Sequence, residues 1–382
     1  MKILGIVTEY NPLHKGHRRH LELSKEISGC DTVIAVMSGN FVQRGEPALC
    51  DKWLRTKMAL CAGVDMVIEL PLYYATGGAE YFARGAVTLL EKTALIDCLC
   101  FGSESADIDA LRECAEALSF EDGEFKTGLR KFLRSGLSYP AAVAKAADVP
   151  VPDTANNILA VEYLKALMGM ASRIRPYTVP RSPGSAKEIR DSLKKCLYRQ
   201  QAMPPYSWDI LQEAIADYGL ADLDNLSPAL HYILRSLDIS KLQGFMDVSE
   251  GLENRLMQCA KDNMLISDII AAAKTKRYTF LRLQRAVLHI ILGIRRENMA
   301  SYEAAGGPQY IRVLGFRQKG AKLLGSLAES SPLPLVLNIK KAQLPPLAAQ
   351  MLEEEIRSTK LYSLAFPKHL NFNEFTMPLI VI

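Results

Sequence analysis

Gly5-Ile6-Val7-Thr8-Glu9-Tyr10-Asn11-Pro12-Leu13-His14-Lys15-Gly16-His17 is the stretch that decides the fold of this 382-residue chain. It leads from a short β-rich run (residues 2–7) through Asn11-Pro12 into a helical pattern over about residues 16–27. A helix that starts at the end of a strand presents unpaired N–H groups and a partial positive charge, which suit a phosphate. Gly16 has no side chain, so backbone can approach an anion closely. His14 and His17 flank it, and imidazole N–H groups can donate to phosphate oxygens as negative charge builds during a displacement. Lys15, Arg18 and Arg19 add positive charge, and His20 completes a group of three of the six histidines within seven residues. From the residues alone two other readings stay open: a solvated basic helix start, and a metal pair from the i, i+3 spacing of His14 and His17. No carboxylate or cysteine stands beside the pair to complete a metal site, so no metal is expected from it. The G-x-x-x-x-G-K-[ST] and G-x-G-x-x-G patterns are absent, which excludes a P-loop and a dinucleotide site.

Outward from this junction the first half alternates. Residues 31–37, 66–70 and 95–101 are continuous apolar runs, and residues 53–62 and 79–92 carry helical spacing. Apolar strands separated by helices predict an α/β fold with a parallel sheet covered on both faces. Ligands of such sheets bind at the carboxyl ends of the strands, where each run here stops in a Gly-, Ser- or Asn-containing turn. A second helix start is expected after the turn Ser182-Pro183-Gly184. Ser185 could cap it, with Glu188 completing a capping box, and the same N-terminus could face a triphosphate.

From about residue 194 helical patterns dominate, and residues 199–205 (RQQAMPP) have linker composition. Two domains are predicted: 1–198, built on the sheet, and 199–382, mainly helical. The net charge of +4 is small, but between residues 271 and 325 eleven Lys/Arg are opposed only by Glu297 and Glu303. That segment carries +9, so the positive charge is local. Lys274, Lys276, Arg277, Arg282, Arg285, Arg312 and Arg317 within it form a plausible footprint for an RNA backbone. Tyr278 and Phe316 could stack on bases. A possible strand at 333–339 and a helix at about 347–361 follow.

An apolar fraction of 49% with 23% charged residues is that of an ordinary globular chain. The eight cysteines are scattered and form no C-x-x-C pair, which argues against zinc ribbons and dithiol redox sites and fits a reducing compartment. The first residues are too weakly apolar for a signal peptide, and no apolar run reaches membrane-spanning length. The expectation is a cytoplasmic protein with no membrane partner.

The H-x-G-H at 14–17 with S-x-x-x-I-R at 185–190 resembles the signatures of the HIGH-motif nucleotidyltransferase superfamily. More specifically, the chain resembles the bacterial tRNA(Met) cytidine acetate ligase family. The matching stretches are GIVTEYNPLHKGHRRHL (5–21), VMSGNFVQRGEPALCDKWLR (36–55), FGSE (101–104), NNILAVEYL (156–164), EGLENRL (250–256), TKRYTFLRLQRAVLHIIL (275–292) and YIRVLGF (310–316). The resemblance implies a nucleotidyltransferase-like (HUP-type) sheet and a two-step reaction. Acetate attacks the α-phosphate of ATP, giving acetyl-adenylate and pyrophosphate; the exocyclic amine of the wobble cytidine of elongator tRNA(Met) then takes the acetyl group. It implies an ATP site made of Val7, Thr8, Glu9, Tyr10, Asn11, Pro12, Leu13, His14, Lys15, Gly16, His17, Arg18, Arg19 and His20. Gly102, Asn157, Arg181 and Ser185 complete that site, with His14 and His17 catalytic. Mg²⁺ is expected to arrive with the triphosphate. A small-molecule adenylyltransferase on the same fold, which would not need the basic segment, and a non-catalytic RNA-binding relative are the competing readings. One departure stands out. The family usually has a longer stretch with a Gly-x-x-Tyr-His-Asp-like element after the arginine matching Arg181. Here only Ser182-Pro183-Gly184 intervenes, and Lys187 replaces the usual Ser/Thr.

Overall fold

The architecture is taken from a computed structural model that describes residues 2–119, 127–128, 131–132, 135, 152, 154–181, 186–195, 197, 200–368 and 370–382. Its strands are β1 (Ile3–Thr8), β2 (Thr32–Ser38), β3 (Phe41–Val42), β4 (Glu46–Pro47), β5 (Met66–Leu70), β6 (Cys98–Ser103), β7 (Arg175–Pro180), β8 (Ile311–Phe316), β9 (Leu335–Val336) and β10 (Ile380–Val381). The main sheet runs in the order β10-β8-β5-β2-β1-β6-β7, with β9 pairing beside the first residues of β8. Neighbours from β5 to β7 are parallel, and β8 joins β5 antiparallel.

The two-residue period of the strands divides the core into two faces. Leu4, Ile6, Val33, Ala35, Met37, Cys98 and Cys100 pack on one side, beneath the helices Lys15–Ser28, Lys52–Cys61, Ala186–Lys194 and Pro205–Tyr218. Ile3, Ile34, Val36, Met66, Ile68, Leu99 and Phe101 pack on the other, beneath Ala79–Thr93 and Ala155–Gly169 and the helices of the second half. Every residue of β2 is buried, as a strand covered on both sides requires. The α/β expectation and the existence of each strand and helix read in the first hundred residues are met.

The expected boundary at 198/199 does not divide the sheet. β8, β9 and β10 come from the second half yet extend the sheet of the first. The Pro205–Tyr218 helix covers the same face as Lys52–Cys61, with Trp208, Leu211 and Ala214 in that core. The run 310–316 is too short for its period to say which sheet it joins, so pairing with β5 was not readable. The strand expected at 333–339 shortens to Leu335–Val336.

The β3–β4 hairpin leans on the Phe280–Leu292 helix. Gly45 has φ 80° there, and a Cβ on it would stand 2.6 Å from Arg285 N and 2.8 Å from Gln284 C. Only glycine allows both that backbone conformation and that approach.

Candidate functional site

The strand order reverses about β1, with β2 and β5 on one side and β6 and β7 on the other. At such a switch the carboxyl ends of adjacent strands open a crevice. Here it is a cavity of about 530 Å³. The ends of β1 and β6 border it, with the first turns of Lys15–Ser28, Ala155–Gly169, Ala186–Lys194 and Phe280–Leu292 around them.

The loop after β1 is held by its carbonyls. Arg55, wholly buried, donates to Glu9 O (2.7 Å), Ser38 O (3.1 Å), Cys50 O (3.1 Å) and Gly39 O. Arg190 donates to Asn11 O at 2.8 Å and pairs with Glu46 at 2.9 Å, and Ser207 Oγ donates to Leu13 O at 2.8 Å. Asn11 Oδ1 takes the Leu49 N–H at 2.7 Å. Carbonyls bound into the scaffold point away from the crevice, which leaves its wall to N–H groups and side chains. Among the described residues, Thr8 Oγ1 and Asn11 Nδ2 are buried without a hydrogen-bond partner, and both residues line the cavity. Orphaned polar atoms of this kind are ones a ligand can satisfy.

His14 is the N-cap of the Lys15–Ser28 helix. Its Nδ1 accepts the Gly16 N–H at 3.0 Å, and His17 Nδ1 accepts the His14 N–H at 3.3 Å. This is a capping box made by two imidazoles, stacked with centroids 3.8 Å apart. Because each Nδ1 is an acceptor, the ring proton of each neutral imidazole sits on Nε2 and is free to donate. Burial, reinforced by Arg181, lowers His14 to about 4, and burial lowers His20 to about 4. His17 is pushed well down by burial and by His14, His20 and Arg181. The cavity therefore holds neutral histidine donors rather than imidazolium charges. The positive charge comes from Arg44, Arg181, Lys187, Arg190 and Arg285.

The stretch 7–20 does not act as a unit. Val7, Thr8, Glu9, Tyr10, Asn11, His14, Gly16, His17 and His20 line the cavity, as do Gly102 and Arg181. Pro12 and Leu13 are buried behind it, and the exposed Lys15, Arg18 and Arg19 are not in its wall; Arg18 pairs with Glu22 at 2.9 Å. Asn157 is also set back. Its Oδ1 accepts Glu104 N at 2.9 Å and Ser105 N at 3.3 Å, while Asn156, Ile158 and Leu159 face the cavity. Asn157 thus shapes the turn after β6. Ser185 lies outside the described residues. The sequence reading missed Gln43, Arg44, Phe82 and Tyr163 in the wall, together with the Arg55 clamp. Glu9 is the one acidic residue among the described lining residues. Burial raises its carboxyl above the usual range against the Gln43 N–H, Arg190 and Arg44.

The predicted basic footprint divides into three. Lys274, Lys276 and Arg277 are exposed just before the Phe280–Leu292 helix, whose first turns, with Thr279, Leu281 and Arg285, form part of the cavity rim. Arg277 and Arg282 share Glu250, at 3.3 and 3.1 Å, and Arg285 pairs with Asp247 at 3.0 Å. Arg312 corrects the expectation. It is buried in the sheet, paired with Glu69 at 2.9 Å and Glu374 at 2.5 Å, and no phosphate can reach it. Arg317 follows β8, which runs antiparallel, so it sits at the amino ends of the parallel strands, beside Asp65 at 3.7 Å. That edge is opposite the cavity, and Arg317 does not join the Lys274–Arg285 group. Tyr278 is buried with its hydroxyl donating to Glu250 O at 2.5 Å, and Phe316 packs against the core, so neither offers a free stacking face.

Among the described residues, no group of three His, Cys, Asp or Glu side chains is placed to hold a metal, and no helix is long and apolar enough to cross a membrane. Residues 1–376 match the HIGH Nucleotidyl Transferase family. A tRNA(Met) cytidine acetate ligase of Thermoanaerobacter sp. (strain X514) is 39% identical over 96% of both chains. One of Acetivibrio thermocellus is 39% identical over the whole of both. The solved Thermotoga maritima TmcAL bound with alpha-thio ATP superposes with a TM-score of 0.93 at 34% identity, covering 100% of each chain. The chain belongs to the HIGH nucleotidyltransferase family and, within it, to the tRNA(Met) cytidine acetate ligases.

Proposed function

We propose that this protein is a cytoplasmic enzyme that acetylates the exocyclic amine of the wobble cytidine of elongator tRNA(Met), using acetate and ATP through acetyl-adenylate. The observation that carries it is the pair of Nε2–H donors at the mouth of a helix N-terminus, in a crevice whose fold matches a relative solved with an ATP analogue. ATP would lie along that N-terminus, and Mg²⁺ arriving with the triphosphate would offset its negative charge. Acetate is already ionised and needs no base. Its carboxylate oxygen attacks the α-phosphorus and pyrophosphate leaves, so positioning and charge stabilisation supply the rate. His14, His17, Arg181, Lys187 and Arg190 supply the donors as negative charge moves onto the leaving oxygens.

The tRNA lies over Lys274, Lys276 and Arg277, which leads its target base to the rim formed by Thr279, Leu281 and Arg285. Acetate-dependent release of pyrophosphate from ATP, and acetyl transfer to a tRNA(Met) transcript, test the reaction. With no acetate-dependent turnover the reading is wrong. Replacing Lys274, Lys276 and Arg277 together by glutamine is expected to raise the KM for tRNA. It should also reduce the log–log salt slope of binding by about 3, about one for each phosphate no longer neutralised. An unchanged slope would remove that face from the tRNA path.

A further inference from the structure

Acetyl transfer needs a proton acceptor that activation does not. The cytidine amine attacks the acetyl carbonyl through its nitrogen lone pair. The C–O bond to the phosphate then breaks, its electron pair leaves with AMP, and the nitrogen must lose one proton to become a neutral amide. Resting on the reaction proposed above, we infer that the Glu9 carboxylate is the group that takes this proton.

The geometry eliminates the other side chains first. His14 and His17 each commit Nδ1 to a backbone N–H and carry their proton on Nε2. Either ring would have to give up its place in the helix cap to accept another. His20 is held down to about 4 by burial and is a weak acceptor near neutral pH. The arginines and Lys187 are donors. That leaves Glu9 as the one carboxylate among the described lining residues.

Glu9 is also built to serve. Its backbone carbonyl is fixed by Arg55 at 2.7 Å, and one carboxyl oxygen accepts the Gln43 N–H at 2.7 Å. No other hydrogen bond to this carboxyl occurs among the described residues, so its second oxygen is free to meet a proton. Gln43 and Arg44 belong to the hairpin that rests on the Phe280–Leu292 helix through Gly45, on the side of the cavity bounded by Arg285. Glu9 therefore stands on the tRNA side of the crevice, while His14 and His17 stand at the helix N-terminus. The charged or titratable groups around it are Arg190, Arg44, Glu46, Tyr163 and Arg55, the last on its backbone carbonyl. Burial raises the carboxyl above the usual range, which brings it nearer the operating pH of a general base.

The test separates the half-reactions in the full-length enzyme. Glu9→Gln keeps an oxygen for the Gln43 N–H but cannot take a proton. Acetate-dependent exchange of pyrophosphate into ATP reads activation; single-turnover transfer from enzyme-bound acetyl-adenylate to tRNA(Met) transcript reads the second step. In E9Q, transfer is expected to fall about a hundredfold more than exchange does. Its rate should also lose the decline toward acid pH that protonation of Glu9 gives the parent enzyme, and Glu9→Asp should recover part of the loss. Transfer at the parental rate, or an acid limb that persists in E9Q, overturns the assignment and leaves the proton to the departing phosphate or to water. Equal loss of both steps also overturns it, making Glu9 a support of the nucleotide site. A parent enzyme with no acetate-dependent exchange overturns instead the reaction on which the inference rests.

Discussion

Lys52→Met is expected to destabilise the protein by about 3–5 kcal/mol, the cost of removing one partner from a buried ion pair. Lys52 is fully buried, with Nζ 2.5 Å from Glu69 Oε1, 2.5 Å from Glu374 Oε1 and 3.6 Å from Glu355 Oε1. Arg312 closes the cluster against Glu69 and Glu374. Two cations thus face three carboxylates in a space without solvent. Burial and the neighbouring Glu69 raise Glu355 to about 8, so at neutral pH it is held protonated and two carboxylates remain for the two cations. Methionine fills the volume of Lys52 but removes half of the positive charge, leaving the carboxylates to repel one another. Urea denaturation at pH 7 reads the effect; a midpoint within error of the parent's would contradict the network's structural role. Glu355→Gln is the companion variant, because an amide imitates the protonated acid. An acid whose folded-state pKa is raised binds more protons folded than unfolded, so its contribution is fullest below the unfolded value and is lost as pH rises towards about 8. The parent should lose stability relative to E355Q between about pH 4.5 and pH 8, and the difference should level off above that range.

This network also shows where sequence reading stopped. Its five members come from a helix start, two strands, a late helix and the C-terminal segment, and nothing periodic relates them. Arg312 looked like part of a basic surface because the segment 271–325 that contains it carries +9. Its two strand neighbours, Ile311 and Val313, were the better clue, since an arginine inside an apolar β run has to be paired or functional. By contrast, the strand–loop–helix junction at 5–17 was legible, because local chemistry dictates it: an apolar β run, a turn, and a glycine flanked by donors. The three-part division of the Lys274–Arg317 segment follows from the antiparallel entry of β8, a long-range pairing with no local signature. Gln43 and Arg44 were visible only as part of a family-like stretch, for a residue reaches the cavity there through the docking of Gly45 on a helix some 240 residues away in sequence.

The second large effect concerns His14. His14→Asn is expected to lower acetate-dependent ATP turnover by about 10²–10³-fold, the loss seen when one preorganised donor to a developing negative charge is removed, while leaving stability close to the parent's. Asparagine is among the best N-cap residues, and its Oδ1 can accept the Gly16 N–H that His14 Nδ1 now takes at 3.0 Å. The amide is shorter than the ring, so nothing replaces the Nε2–H on the cavity side. His14→Ala removes cap and donor together and should add about 1 kcal/mol of destabilisation to the same loss of activity. The cap, in which His14 Nδ1 accepts a backbone N–H, requires a neutral ring, and that requirement has a pH signature. With folded-state values near 4 for His14 and His20, the unfolded chain binds more protons between about pH 4 and 6.5, and stability rises with pH across that window. Imidazole NMR signals of the free protein should titrate with midpoints near 4 for these two residues. Midpoints near 6.5 would mean that the rings reach solvent as ordinary histidines. H14N with parental turnover would show that His14 caps the helix and does no more.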